Sequence, residues 1–404
     1  MGIPRRRPPL LFYCHHSIGM GHLVRSVALV RALSARFDVT FVSGGALPPF
    51  ASAGRAPIVP LPAVALDETG SLVSHDGRRR LDRALTLRRQ IVLDTYRSTQ
   101  PRVVIVDLFP FGRRLFASEL LPMLQEARAD AVRPLVCCSL RDILIGHARS
   151  PDHDARAVRL LAWYFDAVLV HSDPTFATLE ESLAPGVRVP VPVHYTGFVH
   201  RDAAPNLARR RTPKSSTLVS AGSGLTGEHL LHTALEAQAL MPPAARRRLT
   251  LVAGPFLPDD AWRRLRRRAA DTPSATIRRM VPDLGEVLRQ ASGSVSQCGY
   301  NTAMDLVESR VPALVVPFGA ADDTEQLNRA RRLEALGAVR VLPAAEMDAP
   351  RLAVEMASLS SFTPKASSLS LRGAERTVHI IDTLLDKPDT VGAAAAASRM
   401  VRTA

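Results

Sequence analysis

Short apolar runs alternate with amphipathic stretches along most of the chain, and the alternation restarts after an interruption in the middle. Residues 10–14 are apolar throughout and predict a buried strand. Residues 23–35 carry Val24, Val27, Ala28, Val30 and Leu33 at helical spacing. Residues 39–42 predict a second strand, 103–106 a third that ends at Asp107, and 134–138 and 167–170 two more. Alternation of this kind predicts a doubly wound parallel sheet.

The interruption is a proline-punctuated stretch, 188–193, followed by the polar, basic stretch 201–216. Beyond it, strands over 217–220, 249–253, 275–280, 293–296 and 313–317 are interleaved with helices over 228–240, 284–290, 302–308 and 325–336. The pattern as a whole predicts an α/β protein of two Rossmann-like parallel-sheet domains facing an interdomain cleft. The expected divisions are a basic arm over 1–9, a first domain over 10–200, a linker over 201–214, a second domain over 215–385 and a weakly ordered tail over 386–404. Ligands of such sheets bind outside the carboxyl ends of the strands.

Composition narrows the partners. A chain of 404 residues with 46% hydrophobic content suits two domains of about 200 residues each. No apolar run approaches the roughly 18 residues that span a bilayer, and 10–14 is too short for a signal-peptide core before it meets His15 and His16. The expectation is a cytoplasmic protein, with contact at the inner membrane face left open. Cys14, Cys137, Cys138 and Cys298 lack metal-ligand spacing and read as buried small hydrophobes in a reducing compartment. Lysine and arginine exceed aspartate and glutamate by 52 − 38 = 14, which suits nucleotide phosphates or a membrane surface. The arginine triplets at 78–80, 209–211, 246–248 and 266–268 are scattered without interleaved aromatic residues, so they read as solvated surface and no nucleic-acid partner is expected.

Three loops carry candidate chemistry. The first, Gly19-Met-Gly21-His22, joins the first strand to a helix; its glycines allow a tight turn and close approach of a ligand. It is neither a Walker A loop nor Gly-x-Gly-x-x-Gly. His22 at this mouth suits a general base for a hydroxyl proton, and Asp107 at the end of its strand suits the partner that fixes the tautomer. The alternatives are a helix cap or phosphate contact for His22 and a strand-end cap for Asp107. His15 and His16 precede the turn and are expected to line the pocket.

The second loop spans Ser220 to Glu228 and offers Gly222, Ser223, Gly224 and Thr226 to a diphosphate. The third runs from Ser296 through Gly299, Asn301 and Thr302 to Asp305, with Gly299 and Thr302 in a phosphate-facing turn and Asp305 within reach of ribose hydroxyls. Further on, Pro317 and Phe318 end a strand, and Asp322, Asp323, Glu325 and Gln326 lead into a helix whose first residues could bind sugar hydroxyls or complement the helix dipole.

The ordered set Gly19-Met-Gly21-His22, Ser220-Ala-Gly222-Ser-Gly224, Ser296-Gln-Cys-Gly299, Pro317-Phe318 and Glu325-Gln326 resembles the GT-B glycosyltransferases of family 28. That family includes the bacterial peptidoglycan N-acetylglucosaminyltransferase, to which the similarity is distant. A bacterial subgroup of predicted glycosyltransferases is nearer. Its Val-Asp-x-Phe-Pro-x-Gly, Leu-Arg-Asp-Ile and Gly-Tyr-Asn-Thr segments correspond to 106–112, 140–143 and 299–302. The resemblance covers residues 10–345.

What the resemblance implies is a hexosyltransferase-type enzyme working by metal-independent, inverting single displacement from a nucleotide-diphosphate sugar, UDP by family default, with no cofactor. The second domain would hold the donor: Gly222, Ser223 and Gly299 around the phosphates, Asp305 on the ribose diol, Val281 presenting backbone to the base, and Glu325 with Gln326 on the sugar. His22 would lie beside the reacting hydroxyl. The chain departs from the family at Asp305, where Glu is common, and at Asp323-Thr-Glu325-Gln326 in place of Asp-x-Gln-Gln. Its first loop also lacks the second glycine pair of the peptidoglycan enzyme. The acceptor reads as either lipid-linked or a soluble natural product. Two other functions stand beside this one: a nucleotide-sugar epimerase on the same fold, and a non-catalytic binder of anionic surfaces.

Overall fold

The computed structural model describes residues 6–16, 21–45, 52–66, 71–74, 80–144, 151–200, 216–318 and 324–386. Gly19, the linker over 201–214, Asp322, Asp323 and nearly all of the expected tail lie outside the described residues, as do the first five residues of the basic arm. The chain forms two compact units. Among the described residues, the first takes those up to Leu144, those of 151–200 and those from Ser370 onward, and the second takes those between 216 and 369.

In the first unit the order is β1 (Pro9–Cys14), α1 (Gly21–Leu33), β2 (Asp38–Ser43), β3 (Ile58–Pro60), β4 (Val64–Leu66), β5 (Leu72–Ser74), α2 (Leu81–Thr99), β6 (Val103–Asp107), α3 (Ala117–Ala129), β7 (Leu135–Arg141), α4 (Pro151–Tyr164), β8 (Ala167–His171) and β9 (Val193–Tyr195). Seven strands form one parallel sheet in the order β3-β2-β1-β6-β7-β8-β9, and β4 and β5 form a separate antiparallel hairpin. The continuous apolar runs are explained by burial on both faces. Along β1, Leu10, Phe12 and Cys14 join the core beneath α1, while Leu11 and Tyr13 join the core beneath α2 and α3. Each such large side chain contributes on the order of 1.5–3 kcal/mol. Cys137 and Cys138 likewise face opposite cores, and all four cysteines are buried free thiols.

The second unit runs β10 (Ser216–Ser220), α5 (Glu228–Leu240), β11 (Arg248–Val252), α6 (Asp259–Ala270), β12 (Ala275–Arg278), α7 (Leu284–Gln290), β13 (Gly293–Ser296), α8 (Tyr300–Ser309), β14 (Ala313–Val315), α9 (Glu325–Ala335), β15 (Arg340–Val341) and α10 (Ala349–Ser358). Its six parallel strands are ordered β12-β11-β10-β13-β14-β15. In each sheet the first strand of the unit is central, and the order reverses beside it, between β1 and β6 and between β10 and β13. Such a reversal is where open α/β sheets bind ligands.

One boundary differs from expectation. The last helix, α11 (Gly373–Leu385), expected in the second domain, belongs to the first unit. Its stripe of Ala374, Thr377, Ile381 and Leu384 is buried, and the three apolar members join the core that contains Leu23, Val27 and Val30 of α1. Helix α1 is buried on nearly all sides, so it needs cover beyond the sheet, and an amphipathic helix supplies it. An antiparallel bridge between Val199 and Arg372 fixes the entry to α11.

Candidate functional site

At the reversal point of the first sheet, β6 lies parallel to β1, with Tyr13 opposite Val106, so the ends of both strands open together. Asp107 closes β6 and is fully buried. His22, the second residue of α1, directs Nδ1 to Asp107 Oδ2 at 2.7 Å. A carboxylate only accepts, so Nδ1 carries the proton and Nε2 keeps its lone pair. Arg25, one helical turn on and also buried, donates from Nη2 to Asp107 Oδ1 at 2.6 Å. The chain leaves Asp107 through Leu108 at φ +67° and reaches Arg113 at φ +60°, left-handed conformations that cost non-glycine residues energy of about 1–3 kcal/mol each.

The electrostatics follow from enclosure. Burial, above all, pushes the His22 imidazole down to about 3; Asp107 pulls the other way, and Arg113 and Arg25 add to the drop. Burial alone would raise the Asp107 carboxyl, but His22 and Arg25 beside it hold it well below the usual carboxylate range. At neutral pH the set is therefore an ionised aspartate, a charged arginine and a neutral histidine.

His15 and His16 do not line an open surface. His15 stacks on Phe116 at 3.6 Å between ring centres and accepts from Arg88 Nη2 at 3.1 Å, while His16 Nε2 lies 2.8 Å from Ser43 Oγ. Arg88 in turn grips Glu119 with two contacts of 2.7 Å, and Tyr13 donates to the same carboxylate. Burial first and Arg113 next lower His16 to about 4.

The reversal point of the second sheet is rich in glycine. The loop after β10 holds Gly222 at φ +61° and Gly224 at φ +93°. A Cβ on Gly224 would lie 2.7 Å from the Ala253 carbonyl, and one on Gly254 would lie 2.3 Å from Gly224 N, so close backbone packing explains this glycine pair. Gly299 is different. It precedes α8 at φ −64°, and among the described residues a Cβ there would meet nothing within 4 Å. Neither conformation nor packing requires glycine at that point, and helix α8 has no side-chain N-cap. Gly222 is similarly roomy, its nearest neighbour being Gln297 Oε1 at 3.5 Å from a Cβ placed there.

The remaining sequence candidates divide between open and buried positions. Ser223, Val281 and Asn301 are half-buried, whereas Ser296, Thr302 and Asp305 are buried. Among the described residues the Ser296 Oγ has no hydrogen-bond partner. Asp305 sits beneath the start of α7, with Oδ1 3.4 Å from a Cβ placed on Gly285. Glu325 and Gln326 brace the loop after β13. Gln326 Oε1 accepts from Cys298 N at 3.0 Å and Phe318 N at 3.2 Å, while Glu325 pairs at 2.6 Å with buried Arg329, which donates to the Cys298 carbonyl. Gln297 ties this loop to the one after β10 by donating to Thr226.

Gly21 stands at the start of α1, directly before His22. Arg25, Gln297 and Arg329 were not among the sequence candidates. Arg25 follows His22 at i+3 and Arg329 follows Glu325 at i+4, spacings that put each on one helix face with its neighbour.

Residues 233–380, from within α5 to within α11, match the model of the glycosyltransferase family 28 C-terminal domain. Over that stretch the chain resembles a family 28 glycosyltransferase domain. Two curated relatives are both named UDP-N-acetylglucosamine--N-acetylmuramyl-(pentapeptide) pyrophosphoryl-undecaprenol N-acetylglucosamine transferase. The one from Alkalilimnicola ehrlichii is 29% identical over 32% of this chain and 37% of its own length. The one from Thiobacillus denitrificans is 28% identical over 58% of this chain and 60% of its own. The chain thus matches less than two thirds of either relative.

Among solved structures, the calicheamicin glycosyltransferase CalG4 superposes with a TM-score of 0.56 at 18% identity, covering 98% of both chains. The Acinetobacter baumannii MurG gives 0.55 at 14% identity, covering 94% of this chain and all of its own. These likenesses fix the fold as GT-B, two parallel-sheet α/β domains. The family 28 match takes in Gly299, Asp305 and the Glu325–Arg329 brace, whereas His22, Arg25 and Asp107 lie outside it.

Proposed function

We propose that the protein is an inverting glycosyltransferase that moves a sugar from a nucleotide-diphosphate sugar, UDP-linked, to a hydroxyl of its acceptor. The observation that carries this reading is a neutral, buried histidine, oriented by an ionised aspartate, in a chain that also holds a family 28 domain. His22 Nε2 takes the acceptor's O–H proton as that oxygen attacks the anomeric carbon. The bond from that carbon to the diphosphate oxygen breaks, and its electron pair stays on the leaving diphosphate. Asp107 stabilises the imidazolium that forms.

In the second unit, the space beside Gly222 and Gly299 and the uncapped start of α8 suit the diphosphate, since backbone N–H groups and the helix dipole favour the charge that develops there. No metal or cofactor has a role in the reading. Asp305 is assigned to the ribose. Glu325 and Gln326 are assigned to the sugar through whatever capacity their bracing contacts leave. The acceptor carries a hydroxyl and is either lipid-linked or a soluble natural product. Among the described residues no helix is long and apolar enough to cross a membrane, so a lipid-linked acceptor would be met at the membrane surface.

Thermal-shift screening against UDP-sugars and other nucleotide sugars, followed by mass analysis of products from cell extract, tests the reading. The expected result is stabilisation by a nucleotide sugar and a product heavier than the acceptor by one sugar. His22→Gln should keep donor binding and lose transfer by about 10²-fold or more. Release of an isomerised sugar from donor alone would replace the transferase with an epimerase. Absence of nucleotide-dependent stabilisation, together with salt-sensitive lipid binding, would leave a non-catalytic protein.

A further inference from the structure

An arginine enclosed in protein persists only where it meets compensating charge. Three arginines among the described residues are almost completely enclosed: Arg25, Arg88 and Arg329. Arg88 pairs with Glu119, and Arg329 with Glu325. Arg25 differs, because the carboxylate it meets is the one that orients His22. Its Nη2 lies 2.6 Å from Asp107 Oδ1 and 3.2 Å from His22 Nδ1, while Nδ1 lies 2.7 Å from Oδ2. Residues three apart on a helix share a face, so α1 by itself sets both the imidazole and the guanidinium against Asp107.

We infer that Arg25 is a positioning residue that keeps Asp107 ionised and His22 neutral, so that Nε2 meets the acceptor hydroxyl with its lone pair free. The inference rests on the general-base reading of His22. With only a neutral imidazole beside it, buried Asp107 would be an uncompensated charge, and protonation of His22 would relieve it. Arg25 supplies the positive charge instead, and the three side chains are neutral in sum while the imidazole is unprotonated. Arg25 also occupies Oδ1, which prevents the carboxylate from turning and leaves Oδ2 for the Nδ1 proton. When the acceptor proton arrives on Nε2 the set becomes cationic, so the imidazolium readily gives that proton up and the base is restored.

The other titratable groups around the ring act consistently. Arg113, from the loop after β6, presses the same way as Arg25. His15 and His16, at the end of β1, are held neutral mainly by burial, as is His171 on β8, which faces Arg25 and Asp107. The Cys14 thiol on β1 is pushed up by burial and by Asp107, so it contributes no charge.

The test follows the histidine ring nitrogens of the full-length protein by 15N NMR between about pH 8 and 4, with His22 assigned by the signal lost in His22→Gln. The expected wild-type spectrum keeps His22 neutral, with its proton on Nδ1, across that range. Arg25→Gln keeps a donor to Asp107 and loses the charge, so the His22 titration should rise by about 1–3 pH units. The acid limb of kcat/KM should rise with it. Arg25→Lys keeps the charge and should restore the low titration. A wild-type His22 that titrates near its ordinary value overturns the inference, and so does an Arg25→Gln protein that titrates like the wild type. Failure of Arg25→Gln to fold leaves the wild-type and Arg25→Lys titrations to decide. If the titration shifts as expected while His22→Gln retains turnover, the general-base reading fails and Arg25's hold on the charge state stands.

Discussion

The two sheets share a strand order, yet their reversal points are built from opposite materials. Beside β1 and β6 the protein encloses charged side chains, and His22 and Arg25 each donate to the Asp107 carboxylate, at 2.7 and 2.6 Å. Beside β10 and β13 glycines leave room at Gly222 and, among the described residues, open space at Gly299, while Gln297, Gln326 and the Glu325–Arg329 pair brace the loops. On the proposed reading the first arrangement serves proton transfer, which depends on one atom having the right protonation state. The second suits a ligand with many equivalent oxygens, which is held by backbone groups and a helix terminus rather than by one residue. Substitutions should therefore act differently at the two reversal points.

The largest effect is expected at the side-chain site. Asp107→Asn keeps the shape but lets the amide donate to Nδ1, which moves the ring proton to Nε2 and abolishes the base. Turnover should fall about 10³-fold or more, with donor affinity nearly unchanged, as read by single-turnover kinetics and a nucleotide-sugar titration. Arg25 would also lose its carboxylate, at a stability cost of about 3–5 kcal/mol, so the assay belongs at a temperature where circular dichroism shows the variant folded. A variant with normal turnover would remove the carboxylate from the chemistry and leave Asp107 as a strand-end cap.

The same contrast predicts an asymmetric response to acid. His22 and His171 are each lowered to about 3 and His16 to about 4, in every case mainly by burial. Between those values and the ordinary histidine range the unfolded chain binds protons that the folded chain refuses. Stability therefore rises with pH across that window and is lost as pH falls through it, by up to about 1.4 kcal/mol per histidine per pH unit. Asp107, lowered in the fold, loses its contribution in the same direction at still lower pH. Hydrogen exchange during acidification should open the first unit before the second. Simultaneous opening would show that the buried charge set does not govern acid sensitivity.

The sequence made the frame and the endpoints of this comparison readable, because both-face burial gives strands as apolar runs and glycine-rich loops mark strand–helix junctions. His22 and Asp107 could be paired from their positions at neighbouring strand ends. Arg25 could not, since in an arginine-rich chain nothing local separates a buried arginine from a solvated one, and the carboxylate it meets, Asp107, lies 82 residues away. The placement of α11 was hidden for a related reason, as its apolar stripe fits any helix-sized groove and its partner α1 lies at the other end of the chain. Glu325 and Gln326 were correctly placed at a helix start, but their bracing contacts depend on Arg329 and on the backbone of another loop. The glycines were equally ambiguous: Gly224 and Gly299 occupy similar strand–helix turns, and only three dimensions reveal that a side chain on one would strike backbone and on the other would meet none of the described residues.

That last difference gives the finest way to separate folding from binding in the second unit. Gly254→Ala would put a methyl group into the backbone of Ser223 and Gly224 at φ +94°, so it should destabilise the fold by about 1–3 kcal/mol and disturb the donor loop only as a consequence. Gly299→Ala places the same methyl group at φ −64° with no neighbour within 4 Å among the described residues, so the fold should be unharmed or stabilised by about 0.4–1 kcal/mol. If a diphosphate occupies the space before α8, the Gly299→Ala methyl must displace it, and donor affinity should fall about tenfold, a cost near 1.4 kcal/mol. Denaturant melts and nucleotide-sugar titrations on the two variants would then cross, with the more stable protein binding more weakly. Should Gly299→Ala bind donor as well as the wild type, the open space is not where the phosphates sit, and the burden of holding them passes to the loop around Gly222.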